Sequence, residues 1–244
     1  MIVRDIMTAM ETIAPKALAE EWDNVGLLFG DPDATVTTVA VALDITPEAI
    51  AFAKENGAQM IVAHHPLIFA PVKAITAPSA LHALCASGIA GFAAHTNLDA
   101  AAGGVNDTLA AVIGLADVKE AFGGIGRVGM LPEEMAAESF AAMVADRLGA
   151  AVQLRAGTNA VKTVALVGGA GGDFVTETDA DAYLTGELKH HEWLMVPPSL
   201  TVVAAGHYTT ENVVVPALAE RLREALPSLQ VLPFMGAAPY VTVK

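Results

Sequence analysis

The sequence contains a single cysteine, Cys85, which lies in the periodic segment SALHALCASG. One cysteine excludes a disulfide within the chain, and 244 residues bury enough apolar surface to fold without one. Cys85 is therefore expected to be a small buried side chain, and a reducing cytoplasm suits the protein. The first 22 residues carry acidic side chains at positions 5, 11, 20 and 21 and no uninterrupted apolar core, so we expect no secretory signal.

Basic residues and long apolar runs are also scarce. Thirteen Lys and Arg residues stand against 27 Asp and Glu residues, which gives a formal net charge of -14. A surface of that charge repels a phosphate backbone, so nucleic acid is not expected as a partner. Mean hydropathy is +0.49, but charges, prolines or histidines interrupt each long apolar stretch before bilayer length. We therefore expect a soluble protein without a membrane partner.

Strand and helix patterns alternate along the chain. The strand patterns TVTTVAVALD and AQMIVAHHP flank the helix pattern TPEAIAFAKENG, in which Thr46 is the expected cap and Pro47 opens the first turn. The same order repeats in SALHALCASG, with Gly88 as the expected terminator, and in IAGFAAHTNLD. Consecutive strands joined by helices predict an α/β protein with mostly parallel sheets flanked by helices.

The pattern also predicts two α/β units. A glycine-rich passage from residue 123 to residue 129 suggests the boundary, with a first unit at 1–122 and a second at 123–229. The C-terminal strand, about residues 230–244 with YVTVK as an edge strand, is expected to return to the first sheet.

Three strand patterns end in polar side chains of the kinds that bind metals. The carboxyl ends of parallel strands line one edge of a sheet, so these side chains are expected to converge. Histidine nitrogens and carboxylate oxygens suit zinc, manganese, iron or nickel. Any one of these histidines alone could equally be a hydrogen-bonded residue at the edge of the core, so the prediction depends on their coincidence. The residues are His64, His65, His95, Asp99, His207 and Glu211.

Neighbouring residues support two of these positions. Pro66 disfavours helical geometry at His65 and is expected to hold it extended at the end of its strand. Glu211 is expected in the first turn of a helix that begins at TTEN, with Thr209 or Thr210 as the cap.

Five blocks resemble, in order and over nearly the whole chain, the NIF-three-like family of dinuclear metal-binding proteins. The blocks are AEEWDNVGLLFGDP, VAHHPLIF, HTNLDAAAGGVNDTLA, DAYLTGE and AAGHYTTE. Many members are called GTP cyclohydrolase I type 2 homologues. The resemblance implies two divalent metal ions per chain (zinc, iron, manganese or nickel) in a site between the two units, and a short form without an inserted domain. The ligands that it implies are His64, His65, Asp99, His207 and Glu211.

The resemblance also implies an assembly and a class of substrate. Members resemble toroidal homohexamers, trimers of dimers whose metal sites face an internal cavity. The substrate that it suggests is a small molecule, such as the nucleotide GTP.

The ligand set favours metal-assisted hydrolysis. A water molecule bridging two cations would have its pKa lowered from about 15.7 toward about 7, so hydroxide would be available at neutral pH. The predicted catalytic groups are this metal-bridging water, Asp99 and Glu211, the two carboxylates being candidates to bridge or anchor the metals. A metal storage, delivery or regulatory scaffold protein would use the same ligands and stays an alternative.

Four further residues are predicted beside the metals or the substrate: His95, Asp23, Asn24 and Glu187. Asp23 and Asn24 precede a valine and a glycine, and this pattern is equally typical of a turn. Trp22 is expected to be a packing residue.

Two motifs are not expected to take part in metal binding. His190 and His191 imitate the first histidine pair, but they fall in a predicted helix and are expected at the surface or in an interface. The glycine-rich VGGAGGDF, residues 167–174, is expected to be a tight turn, with phosphate binding as the weaker alternative.

Overall fold

The computed structural model describes residues 1–240, which form two sheets with helices beside them. The strands of the described residues are β1 (Gly26–Phe29), β2 (Thr38–Ala42), β3 (Met60–Ala63), β4 (Ala90–Ala93), β5 (Ala116–Ala121), β6 (Gly126–Met135), β7 (Gln153–Arg155), β8 (Val161–Val167), β9 (Ala182–Thr185), β10 (Thr201–Ala204) and β11 (Gln230–Pro233). The helices are α1 (Val3–Ile13), α2 (Pro47–Glu55), α3 (Ala80–Ser87), α4 (Thr96–Ala100), α5 (Val105–Ile113), α6 (Ala137–Leu148), α7 (His190–Met195), α8 (His207–Glu211) and α9 (Val214–Ala225). Among them, none is long and apolar enough to cross a bilayer.

The chain divides into two compact units. Of the described residues, unit 1 comprises 1–104 and 214–237, and unit 2 comprises 105–213 and 238–240. These boundaries differ from the predicted division at residues 122 and 229. The glycine-rich passage after residue 122 is a turn between the paired strands β5 and β6, where Gly123 and Gly124 take positive φ angles of 68° and 105°. The glycines there serve a hairpin and not a linker between units.

Unit 1 contains a five-stranded sheet in the order β1-β4-β3-β2-β11. Strands β11, β2, β3 and β4 are parallel, and β1 is antiparallel to β4. The last strand therefore returns to the first sheet as expected, through β11. The predicted edge strand YVTVK lies largely beyond the described residues, because the description ends at residue 240.

Local signals in the sequence place the helices of unit 1. The Thr46 hydroxyl accepts a hydrogen bond of 3.2 Å from Ala49 N, and Pro47 opens α2. Gly88 ends α3 in the left-handed conformation, with a φ of 70°. All three predictions are confirmed. Cys85 lies on α3 and is half-buried instead of buried.

Unit 2 contains a six-stranded sheet in the order β5-β6-β8-β9-β10-β7. Only β8, β9 and β10 are parallel to one another, while the pairs β5–β6, β6–β8 and β10–β7 are antiparallel. The α/β class is confirmed, but the sheet of unit 2 is mixed and not mostly parallel. The run VALV at the end of β8 and all residues of β9 and β10 are buried, as expected for parallel strands in the centre of a sheet.

Candidate metal centre

Three histidines gather at the carboxyl end of the parallel sheet in unit 1. His64 and His65 follow directly on β3, and His95 follows two residues after the neighbouring strand β4. One ring nitrogen from each lies within 4.8 Å of the other two. The ring centroids are 4.8 Å apart for His64 and His65 and 5.2 Å apart for His64 and His95. The predicted convergence of these strand ends therefore occurs within unit 1.

Each of these imidazoles directs its Nδ1 atom at an oxygen acceptor. An acceptor at Nδ1 places the ring proton there, so Nε2 keeps its lone pair for a cation. Neutral histidines of one tautomer are the form that metal ligation requires. The acceptors are Ala94 O for His64 at 3.0 Å, Asp44 Oδ1 for His65 at 2.8 Å and Asp23 Oδ1 for His95 at 3.0 Å.

Asp23 has a carboxylate that stays ionised beneath His95. Burial raises the pKa of Asp23, but hydrogen bonds from the Thr96 hydroxyl, from His95 and from Thr96 N outweigh it and lower the pKa. Burial, and next the positive charge that His64 would carry, lower the pKa of His95 although Asp23 opposes this. His95 therefore favours its neutral form, with its proton directed at Asp23.

Asp99 lies beside His64. The residues after His95 form the single-turn helix α4, whose first residue is Thr96. Asp99 N donates to His95 O at 3.0 Å, and this turn buries the Asp99 side chain. Its Oδ1 atom is 3.8 Å from His64 Nε2. Unit 1 thus offers imidazole nitrogens and one buried carboxylate together.

His207 and Glu211 form a second pair of candidate ligands, in unit 2. His207 Nε2 is 3.0 Å from Glu211 Oε2, and His207 Nδ1 is 3.0 Å from Glu187 Oε1. The pair lies one helical turn apart on α8, a spacing that puts both side chains on one face. The Glu211 side chain is buried and Glu187 is exposed.

The predicted position of Glu211 at the start of a helix is wrong. α8 begins at His207 after Gly206, whose φ is 88°, so Glu211 is its last residue and not in the first turn of the longer helix α9. The Thr210 hydroxyl is not an N-cap, because it donates within α8 and accepts a hydrogen bond of 3.0 Å from Gly169 N. The residues TTEN resemble a helix N-cap in sequence, but the Thr210 hydroxyl group is hydrogen-bonded to a distant loop instead of capping a helix.

The glycine-rich loop at 167–174 packs against the carboxylate of Glu211. A Cβ atom on Gly169 would lie 1.9 Å from Glu211 Oε1, so only glycine leaves room for that carboxylate. The loop amides are used inside the protein, which disfavours the alternative of phosphate binding and agrees with the expected turn. Gly168 N, Gly169 N and Gly171 N donate to Asn106 Oδ1, Thr210 Oγ1 and Thr185 Oγ1.

Other predicted residues lie at different places. Asn24 donates from Nδ2 to Ile68 O at 2.5 Å and so ties two loops of unit 1 together. Trp22, expected to be a packing residue, borders the rings of Phe69 and His95 but is 60% exposed. His190 and His191 open α7 and are exposed, and in the part of the chain described neither joins a cluster of metal donors.

Asp44 is a functional candidate that the sequence reasoning did not assign to the site. It follows β2, and β2 lies beside β3, so its carboxylate meets His65 at the same edge of the sheet. The available signal was an acidic residue just after a strand whose neighbour in the sequence, β3, is followed by the histidine pair. Because Thr46 is the N-cap of α2, the Asp44 carboxylate is not the cap and is hydrogen-bonded to His65.

The donor set fits a divalent transition metal. Imidazole and carboxylate suit zinc, iron, manganese and nickel, and the acceptors behind each ring are the outer contacts that metal sites use. Asp99 and Glu211 are 8% and 4% exposed, and such burial of a carboxylate is costly unless hydrogen bonds or a cation compensate it.

Comparisons with known proteins give consistent results. The sequence pattern of the family described as Duf34/NIF3 (NGG1p interacting factor 3) matches residues 1–236. A Clostridium perfringens protein named GTP cyclohydrolase 1 type 2 homolog is 34% identical over 247 residues, covering 93% of this chain and 94% of that protein. A protein of the same name from Lactococcus lactis is 33% identical over 237 residues, covering 91% and 92%. The crystal structure of Staphylococcus aureus hypothetical protein SA1388 matches with a TM-score of 0.93 at 28% identity, covering 100% and 99%.

Proposed function

The chain belongs to the DUF34/NIF3 family, and we propose that it binds two divalent metal ions and acts as a metal-dependent hydrolase on a small substrate such as a nucleotide. The observation that carries this proposal is the shared orientation of His64, His65 and His95, whose Nδ1 atoms all face oxygen acceptors. Three core-edge histidines with merely structural roles have no reason to gather in one cluster and to direct the same nitrogen, Nδ1, at an oxygen acceptor.

We assign the metal ligands within each unit from the side chains gathered there. In unit 1 the ligands are His64, His65 and Asp99, and in unit 2 they are His207 and Glu211. His95 is assigned to the substrate, because its ring borders the exposed rings of Trp22 and Phe69.

Divalent cations, when bound, would supply Lewis acidity and an activated water at neutral pH. The protein's own residues orient the side chains that this chemistry needs. Asp44 and Asp23 hold His65 and His95 in one tautomer, and the ionised state of Asp23 keeps His95 a donor at Nδ1. No serine or cysteine nucleophile is required. Cys85 lies on α3, and none of the proposed ligands is on that helix.

The names of the relatives support the substrate class. Relatives that align with more than nine-tenths of this chain are named GTP cyclohydrolase 1 type 2 homolog, and this name points to a guanine nucleotide. A shared fold does not determine the substrate, so the nucleotide class needs a direct test of turnover.

Metal analysis and a hydrolase screen test the proposal. We expect two equivalents of metal per chain in the intact protein, and the loss of at least one in His64→Ala or Glu211→Ala. The matched control replaces His190 and His191 by glutamine, which removes two exposed imidazoles and leaves the metal content unchanged. Two equivalents in His64→Ala and in Glu211→Ala would refute the ligand assignment.

Turnover separates the enzyme from the alternative function. A screen of nucleotides with and without chelator should find hydrolysis that chelator abolishes and that added metal restores. Two equivalents of metal without turnover of any nucleotide would leave metal storage, delivery or a regulatory scaffold as the function.

We also propose that the protein works in the cytoplasm as a toroidal homohexamer, a trimer of dimers. The single cysteine supports the reducing compartment, and the family resemblance supports the assembly. Large exposed apolar side chains, among them Leu194 at 74% exposed, favour self-association.

A further inference from the structure

Two aromatic side chains border the histidine cluster and are largely exposed. Trp22 is 60% exposed and Phe69 is 54% exposed. Their ring centroids are 5.8 Å apart, and each lies 6.3 Å from the ring of His95 with nearly perpendicular planes. Exposed tryptophan and phenylalanine side chains lose much of the free energy that burial would provide. Their shared position beside His95 needs a reason other than packing.

Hydrogen bonds fix the two segments that carry these rings. Asp23, directly after Trp22, has a fully buried side chain that accepts from His95 Nδ1 and Thr96 N, each at 3.0 Å. Asn24 donates from its side chain to Ile68 O, directly before Phe69. Both aromatic residues are therefore held beside the cluster although their rings are in solvent. Asp23 and Asn24, which were predicted beside the metals or the substrate, therefore position the two aromatic residues.

We infer that Trp22 and Phe69 form a stacking surface for the nucleobase of the substrate, with the ring's substituents directed toward His95. The inference rests on the proposed function, because it names the part of a nucleotide that unit 1 recognises. Base stacking on aromatic side chains is a strong and charge-independent form of recognition.

The charge of the protein favours a neutral flat ligand at this place. The chain carries a formal charge of -14, and Asp23, Asp44 and Asp99 lie around the histidines. Carboxylates repel a phosphate group, whereas an uncharged base adds no repulsion. Stacking therefore supplies affinity that the electrostatics of these residues cannot supply.

Tryptophan fluorescence tests the inference in the full chain. Trp22 and Trp193 are the two tryptophans, so Trp193→Phe leaves Trp22 as the sole indole. Guanosine, titrated with chelator present, should quench this fluorescence saturably, while ribose 5-phosphate should not. Phe69→Ala in the same background should weaken guanosine binding about tenfold, and Phe69→Tyr should preserve it. Leu154→Ala, an exposed apolar truncation on β7, should have no effect.

The outcomes separate this inference from the proposed function. Quenching by guanosine in a protein without hydrolase activity would support the stacking surface and refute only the enzyme. Hydrolysis of nucleotides without quenching would refute the stacking surface and leave the enzyme. Equal quenching by ribose 5-phosphate would also refute it, as would a change in oligomeric mass in Phe69→Ala with guanosine binding intact, because the rings would then join copies of the chain.

Discussion

The proton on each clustered histidine is set by an oxygen atom that comes from elsewhere in the chain. Asp44 faces His65 across 21 positions of sequence, and Asp23 faces His95 across 72. The histidines themselves could be predicted, since each ends a strand pattern. Their partners could not, because which carboxylate meets which ring depends on the order of strands in the sheet.

Loss of Asp44 should weaken metal binding without unfolding the protein. Asp44→Ala removes the acceptor at His65 Nδ1, so the ring loses its fixed tautomer and orientation. Removing such an outer contact costs about 10–100-fold in metal affinity, and the half-exposed position of Asp44 favours the lower end. Competition with a chromogenic chelator measures the affinity. Glu55→Ala, an exposed acid on α2, is the control; equal affinities in both variants would contradict the prediction.

Short elements with local signals were predictable, and elements shaped by tertiary contacts were not. The cap at Thr46 and the terminator Gly88 act within their own helices, so sequence sufficed. The hydroxyl of Thr210 is used by Gly169, 41 positions away, so a pattern that resembles a cap failed there. The turn at Gly123 resembled a linker because the pairing of β5 with β6 has no local signal.

The glycine-rich loop should tolerate no side chain at Gly169. Gly169→Ala costs about 1–2 kcal/mol for its φ of +63°, and its Cβ would also displace the Glu211 carboxylate. We expect a loss of bound metal, measured by elemental analysis of the purified protein. Gly149→Ala is the matched control, since Gly149 has the same φ and open space around it. We expect the two variants to have similar free energies of unfolding, and only Gly169→Ala to lose bound metal. If neither variant loses metal, the prediction is wrong.

The contact between β8 and the start of β9 should depend on pH. Burial raises the pKa of Asp181, but hydrogen bonds from Thr163 and from Lys162 N outweigh it and lower the pKa. A carboxyl group whose pKa is lower in the folded state stabilises the protein at pH values above its pKa in the unfolded chain, about 3.9. This stabilisation is lost as the pH falls through the pKa of the folded state.

Asp181→Ala should therefore lower the free energy of unfolding by about 1 kcal/mol at pH 7, because solvent screens this partly exposed carboxylate, with the difference shrinking below about pH 4. Urea titrations between pH 3 and pH 7 measure it, with the exposed Asp179→Ala as control. A difference that stays constant down to pH 3 would show that the charge of Asp181 is not its cause.

The assembled protein should have six times the mass of the 25.1 kDa chain. Exposed Leu194 and Met195 on α7, at 74% and 58%, are adjacent apolar side chains that association of copies would cover. Light scattering coupled to gel filtration measures the mass. A stable monomer at micromolar concentration would contradict both the hexamer and the internal cavity that the family resemblance implies.

The late return of β11 sets an order of events on the ribosome. β11 pairs with β2, and the bonded side chains of Thr38 and Gln230 are 192 residues apart. At about 5–20 residues per second, the nascent β2 waits roughly 10–40 s for its neighbour. Residues 105–213 leave the ribosome in that interval as one uninterrupted stretch and can fold first. The nascent strand with Val39 and Val41, fully buried in the finished protein, is then an unpaired apolar edge until β11 is made.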